Sequence, residues 1–406
     1  MRLFFLICLF LMTVQEASAK KKRKKKSRKP PFTAFRIVDE ELKINDSPEL
    51  TAFFKNLNQL KEGKRSASVF ILGDSHQQCE DFGHALQDYL NDSAGIPSAG
   101  RCFAFPYPFA RTSQRSPMRF SCKKNDWKGC RITNPLNSCM WGICGWQASS
   151  DADSLHFSWK AGEEHFREAD EVGILSPPES RRHALFLKDS LFNMEIPYDE
   201  NRNGFFIRLP ANQSQLHFSV RRSDSTAFHH QGFVRVPSKE GLSLGISGTN
   251  GARLDHYLLS RDFEENLRAI HPDLVVLALG TNDAFGSPFD KEKVRLHLGM
   301  LVARIRMALP EAAILLIGPP DHCSRRMKIN ANTLKINEIY AEMAEELELG
   351  FWNLQHAMGG EKSAFAWRRK KLITTDMVHF TVDGYRLQAK MLGKALHKAM
   401  QSIQVE

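Results

Sequence analysis

A hydroxyl that attacks a carbonyl needs a base to take its proton, an acid to orient that base, and donors aimed at the oxyanion. Ser75 is placed for such a role. In "VFILGDSHQQCEDF" (Val69 to Phe82) an apolar run, Val69 to Leu72, reads as a buried strand, and Gly73 and Asp74 make the turn. From His76 onward apolar residues recur at helical spacing, at Phe82, Leu86 and Leu90. A serine at that junction also caps the first turn of a helix, so this stretch alone fits a cap as well as a nucleophile. Near the far end, "TTDMVHFTVDGY" sets Asp376 three residues before His379, in a loop that leads into a helix. "GTND" puts Asn282 after a second buried strand, and its carboxamide is a neutral donor suited to an oxyanion.

These residues need a scaffold that gathers them. The second half alternates strand and helix: strands at Leu274 to Leu279, Ala313 to Gly318 and Phe351, helices over about Lys291–Leu309, Asn330–Leu349 and Val382–Met400. Strands this apolar are buried on both faces, which predicts an α/β fold with a parallel sheet and flanking helices. In open sheets of that kind, sites gather at the carboxyl ends of the strands, where Ser75 and Asn282 both fall. Between Asn91 and Ser243 the pattern changes to short alternating strands such as Phe205 to Leu209 and Gln215 to Arg222, punctuated by Gly, Pro, Asn and Ser. This predicts a β-sandwich module over 151–240, inserted between an α/β first part (34–150) and second part (241–406).

Four ordered blocks, "GDS" at Ser75, "TNGA" at Gly251, "GTND" at Asn282 and "DMVH" at Asp376 and His379, resemble the SGNH (GDSL-like) hydrolase family. The resemblance implies Ser75 as nucleophile, His379 as base and Asp376 as its orienter. It also implies an oxyanion hole from the Ser75 amide, Gly251 and Asn282, with Gly248 three residues away as the rival glycine, and no metal or organic cofactor. His76 stands where the family has leucine, and as a residue of a surface helix it either faces solvent or meets substrate. Asp74 reads as a turn residue that bonds nearby amides. The aromatic stretch "AGRCFAFPYPFART" (99–112) either lines a pocket or packs the insertion.

Charge and cysteine usage speak to compartment. The net charge of +10 is concentrated: nine basic residues lie between Lys20 and Lys29, and the remainder is close to neutral, which argues against nucleic acid as a partner. This stretch (20–33) reads as a disordered arm, either a solvated tail or a contact for anionic surface polymers. Before it, Arg2, the apolar run Leu3 to Val14 and Ala17-Ser18-Ala19 form a signal-peptide pattern over 1–19, which predicts export to the periplasm or cell surface. Cys122, Cys130, Cys139 and Cys144 cluster as disulfide candidates, with a zinc site as the rival, while Cys79 and Cys323 are candidates to remain thiols. An exported chain with "GDSH" and a β-rich insertion before "NGA" is similar to bacterial peptidoglycan O-acetylesterases. The similarity implies removal of acetyl from C6 of N-acetylmuramic acid in O-acetylated peptidoglycan or a related glycan. Two alternatives stay open: an O-acetyltransferase using the same triad, and a non-catalytic glycan-binding protein.

Overall fold

The computed structural model describes residues 34–403, apart from 44, 46, 62–65, 113–117, 135–138, 161–165, 190, 191, 325 and 326. The expected leader (1–19) and basic arm (20–33) lie outside the described residues. The backbone of the molecule is a ten-stranded sheet. Six strands run parallel in the order Ser98–Ala104, Gly241–Gly248, Ser66–Gly73, Leu274–Ala278, Ala313–Ile317 and Gly350–Trp352. Alternate residues of these strands feed two separate cores. Phe70, Leu72, Val275, Leu277, Ile314 and Leu316 face one side. Val69, Ile71, Leu274, Val276, Leu315 and Ile317 face the other, under the helices Pro48–Leu60, Asp81–Asp92 and Val382–Ser402. Burial on both faces is the physical reason these stretches read as unbroken apolar runs.

The helices form close to where periodicity places them. Lys291–Ala308 starts at Asp290, whose carboxylate accepts from the Lys293 amide at 3.1 Å. Val382–Ser402 starts at Thr381, whose hydroxyl accepts from the Gly384 amide. Each is a side-chain cap that satisfies an otherwise free amide of the first turn.

The β-rich segment differs from the expected separate sandwich over 151–240. Gly232–Val236 pairs antiparallel with Ser98–Ala104, Glu171–Leu175 pairs with Gly232–Val236, and Gly204–Arg208 pairs with Glu171–Leu175. Four strands of the segment therefore extend the main sheet at one edge. A five-stranded antiparallel sheet packs over this wing, built on Ser154–Lys160, Gln215–Arg221 and Ala184–Lys188, and its edge strand Arg119–Cys122 begins before 151. Trp159 and Phe218 of that sheet pack on Phe233 of the wing. The sandwich thus takes one of its two layers from the α/β sheet itself. Segment and scaffold belong to one compact unit, Thr33–Glu406. Alternation marks these segments as strands, but it does not say which sheet a strand joins.

Candidate active site

Strand Ser66–Gly73 lies between Gly241–Gly248 and Leu274–Ala278, with Gly73 in register with both Gly248 and Ala278. Three loops therefore leave the sheet side by side, carrying Ser75, Gly251 and Asn282. The carboxyl edge of a parallel sheet at a change of strand order is where such a fold leaves a crevice. Ser75 opens a helix of one turn, Ser75–Gln78, capped by Asp74, whose side chain accepts from the His76 amide at 2.9 Å. The single helix expected from His76 is broken: Glu80 sits at φ 54° and a second helix, Asp81–Asp92, follows.

The side chains of Ser75, His379 and Asp376 form one hydrogen-bonded chain. His379 Nε2 lies 2.9 Å from Ser75 Oγ, and His379 Nδ1 lies 2.7 Å from Asp376 Oδ2. Asp376 Oδ1 accepts from the Val378 and His379 amides at 2.9 and 3.0 Å and from the Thr374 hydroxyl at 2.6 Å. Desolvation raises the Asp376 carboxyl, but the bonds from Thr374, His379 and the two amides outweigh it and hold the group well below the usual carboxylate range. An ionised Asp376 fixes the proton on His379 Nδ1 and leaves Nε2 free to accept from Ser75. Thr374, which no sequence pattern singles out, shapes this acid.

The donors are arranged around the same serine. The Gly248 amide donates to the Tyr107 hydroxyl at 3.1 Å, and that hydroxyl donates to the Gly248 carbonyl at 2.6 Å. Gly248 is thus occupied on both its amide and its carbonyl. Gly251 is exposed at φ 79°, a backbone that glycine adopts freely, and among the described residues its amide has no partner. The loop is tied down on both sides of it: the Asn250 amide donates to Gln78 Oε1 at 3.0 Å, and Asn282 Nδ2 donates to the Ala252 carbonyl at 2.9 Å. Asn282 Nδ2 also reaches Asp74 Oδ2 at 3.3 Å. Asp74 is therefore more than the expected turn residue. It is fully buried, burial pushes its carboxyl up to about 6, and it links the Ser75 turn to the Asn282 carboxamide.

His76 is a correction. It is 7% exposed rather than on a surface, because Phe380 and Tyr385, some 300 positions along the chain, close over it. Of the aromatic stretch, Phe105, Tyr107 and Phe109 are buried packing residues: Phe105 stacks on Trp146, Phe109 stacks on Trp127, and Tyr107 meets Trp146 edge-on. Cys130 and Cys139 form a disulfide, while Cys122 and Cys144 of the same cluster remain thiols along with Cys79, Cys102 and Cys323. Cys144 is excluded from pairing by its position: it is buried and its thiol donates to the Gln231 carbonyl at 3.1 Å.

Residues 226–387 match the GDSL-like lipase/acylhydrolase family, a span that holds Gly251, Asn282, Asp376 and His379. A solved structure titled "Peptidoglycan O-acetylesterase in action, 5 min" superposes over 89% of this chain and 99% of its own, at 20% identity and a TM-score of 0.72. The fold is that of the GDSL-like (SGNH) hydrolases. The superposition extends through the β-rich part of this SGNH fold as well as the α/β part. Two further matches cover less. A putative platelet activating factor from Streptococcus pneumonia aligns over 38% of this chain and 73% of its own, at 22% identity and a TM-score of 0.30. The acetyl xylan esterase AlAXEase aligns over 37% and 79%, at 18% identity and a TM-score of 0.31. No curated protein matches the sequence.

Proposed function

We propose that this SGNH-fold chain is an exported serine esterase that removes O-acetyl groups from peptidoglycan, at C6 of N-acetylmuramic acid. The observation that carries the reading is the hydrogen-bonded chain from Ser75 Oγ through His379 to Asp376, beside the Gly251 amide, which has no partner among the described residues. His379 Nε2 takes the Ser75 proton as Oγ attacks the acetyl carbonyl. The oxyanion accepts from the amides of Ser75 and Gly251 and from Asn282 Nδ2, which gives up its longer, 3.3 Å bond to Asp74 Oδ2 to do so. Collapse expels the sugar C6 oxygen, which leaves with the proton held by His379, and acetyl-Ser75 remains. A water, deprotonated by His379, attacks the acyl carbon, and acetate departs as Ser75 regains its proton. Each oxyanion donor is worth roughly 3–4 kcal/mol of barrier in such a site.

The glycan is drawn from the peptidoglycan O-acetylesterase that shares this fold over nearly its whole length, and from the signal-peptide pattern at 1–19. Acetate release from O-acetylated peptidoglycan, compared with O-acetylated xylan, tests it. Release from peptidoglycan well above that from xylan, and lost in Ser75→Ala, supports the reading. Equal or greater release from xylan moves the substrate to plant-type glycans, and no release from either ends it.

A further inference from the structure

His76 takes no part in the triad, yet it lies directly under it. Its ring centroid is 5.4 Å from that of His379, 5.7 Å from Phe380 and 5.9 Å from Tyr385. Nδ1 shares a 3.0 Å hydrogen bond with the Tyr385 hydroxyl. That hydroxyl in turn meets the backbone of Phe380, the residue that follows the base. One end of this link is the neighbour of Ser75 and the other is the neighbour of His379. The remaining ring nitrogen, Nε2, is buried with no partner among the described residues, as is Gln77 Oε1. Both side chains line a cavity of about 20 Å³ behind the turn, together with Thr281, Pro319 and Gln388. That volume holds one water, and a water has the donors and lone pairs to serve both atoms.

We propose that His76 is a positioning residue: held by Tyr385 on Nδ1 and by one buried water shared with Gln77 on Nε2, it fixes the base loop onto the nucleophile's helix. The inference rests on Ser75 and His379 being nucleophile and base. A buried ring kept neutral suits the position, because His379 becomes a cation during the reaction and a second cation beside it would oppose that step. Leucine, which stands here in the family pattern, packs but makes no such link.

The test uses the full chain and p-nitrophenyl acetate, with covalent inactivation of Ser75 by phenylmethylsulfonyl fluoride as a second readout. Tyr385→Phe removes the hydroxyl and little volume. We expect kcat and the inactivation rate to fall together by about 10- to 100-fold, the scale for a small misalignment, with KM within two-fold. His76→Leu should cost as much alone and almost nothing more when added to Tyr385→Phe, since both cut one link. His76→Asn, whose amide reaches the place of Nδ1, should recover most of the rate. Unchanged kcat and inactivation in Tyr385→Phe, additive losses, or a change in KM alone would overturn the proposal, and so would a high-resolution map without a water between His76 Nε2 and Gln77 Oε1. If His76→Leu fails to fold, Tyr385→Phe and His76→Asn decide. Should the wild-type chain cleave no ester, the triad reading itself falls; should it cleave well and Tyr385→Phe match it, only this inference does.

Discussion

At the residue scale, the roles separate by size of effect. Ser75→Ala leaves the Asp74 cap and the sheet untouched, so it should keep the wild-type Tm while p-nitrophenyl acetate hydrolysis falls by about 10⁴- to 10⁶-fold. A mutant with a tenth of wild-type activity rules out Ser75 as nucleophile. Asn282→Ala removes one donor and should cost about 10²- to 10³-fold. Asp283 invites a measurement of another kind. Its Oδ1 accepts from the Leu254 amide at 3.3 Å, and its Oδ2 is buried with no partner among the described residues. Burial pushes the carboxyl up from 3.8 to about 7. The folded value lies above the unfolded one, so between about pH 4 and pH 7 the folded state keeps a proton that the unfolded chain has released. Stability is therefore lost as pH rises through that window, and the loss is complete above about pH 7. Asp283→Asn keeps the acceptor and abolishes the titration. Relative to wild type, its stability should improve from pH 5 to pH 8 by roughly 1–3 kcal/mol. A difference that stays constant across those pH values refutes the assignment.

At the scale of elements, two glycines in one loop should behave differently. A Cβ on Gly248 would meet the Asp74 carbonyl at 2.3 Å and the Gln78 amide nitrogen at 2.5 Å, both backbone atoms that cannot step aside. Gly248→Ala should therefore displace the nucleophile's turn and lower both Tm and activity sharply. A Cβ on Gly251 meets nothing within 4 Å, and its cost is the left-handed backbone, about 1–2 kcal/mol, while the amide stays in place. Gly251→Ala should retain most of the rate, and a loss as deep as that of Gly248→Ala would show that the contact argument fails. The same loop shows what was legible in the sequence and what was not. Strands buried on both faces announce themselves as apolar runs, so Leu274–Ala278 and Ala313–Ile317 fall within a residue of expectation. The three residues that the resemblance brings together, Ser75, His379 and Asp376, do meet in one hydrogen-bonded chain. The choice between Gly248 and Gly251 depends on Tyr107, which is 141 positions away. The burial of His76 depends on Tyr385, 309 positions away. No local pattern carries such information. For the same reason, the edge at which the β-rich strands join the sheet was out of reach.

At the scale of the whole molecule, the shared sheet makes the β-rich segment a part of the scaffold. Removing 151–240 would strip Gly232–Val236 from Ser98–Ala104 and uncover Phe103, so the truncated chain should show no cooperative thermal transition. A soluble, cooperatively folding deletion would mean that the wing is dispensable. The outer five-stranded sheet carries an open polar hollow of about 400 Å³, lined by Lys188, Gln213, Gln215 and His217 among others. If that sheet holds neighbouring sugars, Lys188→Ala and His217→Ala should lower turnover of O-acetylated peptidoglycan and leave p-nitrophenyl acetate within a few-fold. Equal losses on both substrates would point to damaged folding, and none on either would make the hollow a bystander.

The central strand has a consequence for how the protein is made. Ser66–Gly73 is synthesised early, but its sheet neighbours are Gly241–Gly248 and Leu274–Ala278, and the base that meets Ser75 comes 304 positions later. At roughly 5–20 residues per second on the ribosome, the nascent chain spends on the order of 15–60 s with its serine translated and its histidine not. Through that interval Ser75 has no imidazole of His379 beside it, and its strand lacks one or both sheet neighbours until residue 278 is made. If Ser75 and His379 are nucleophile and base, the chain gains activity only at the end of its synthesis, and until residue 278 emerges it exposes an apolar strand that is buried in the finished sheet.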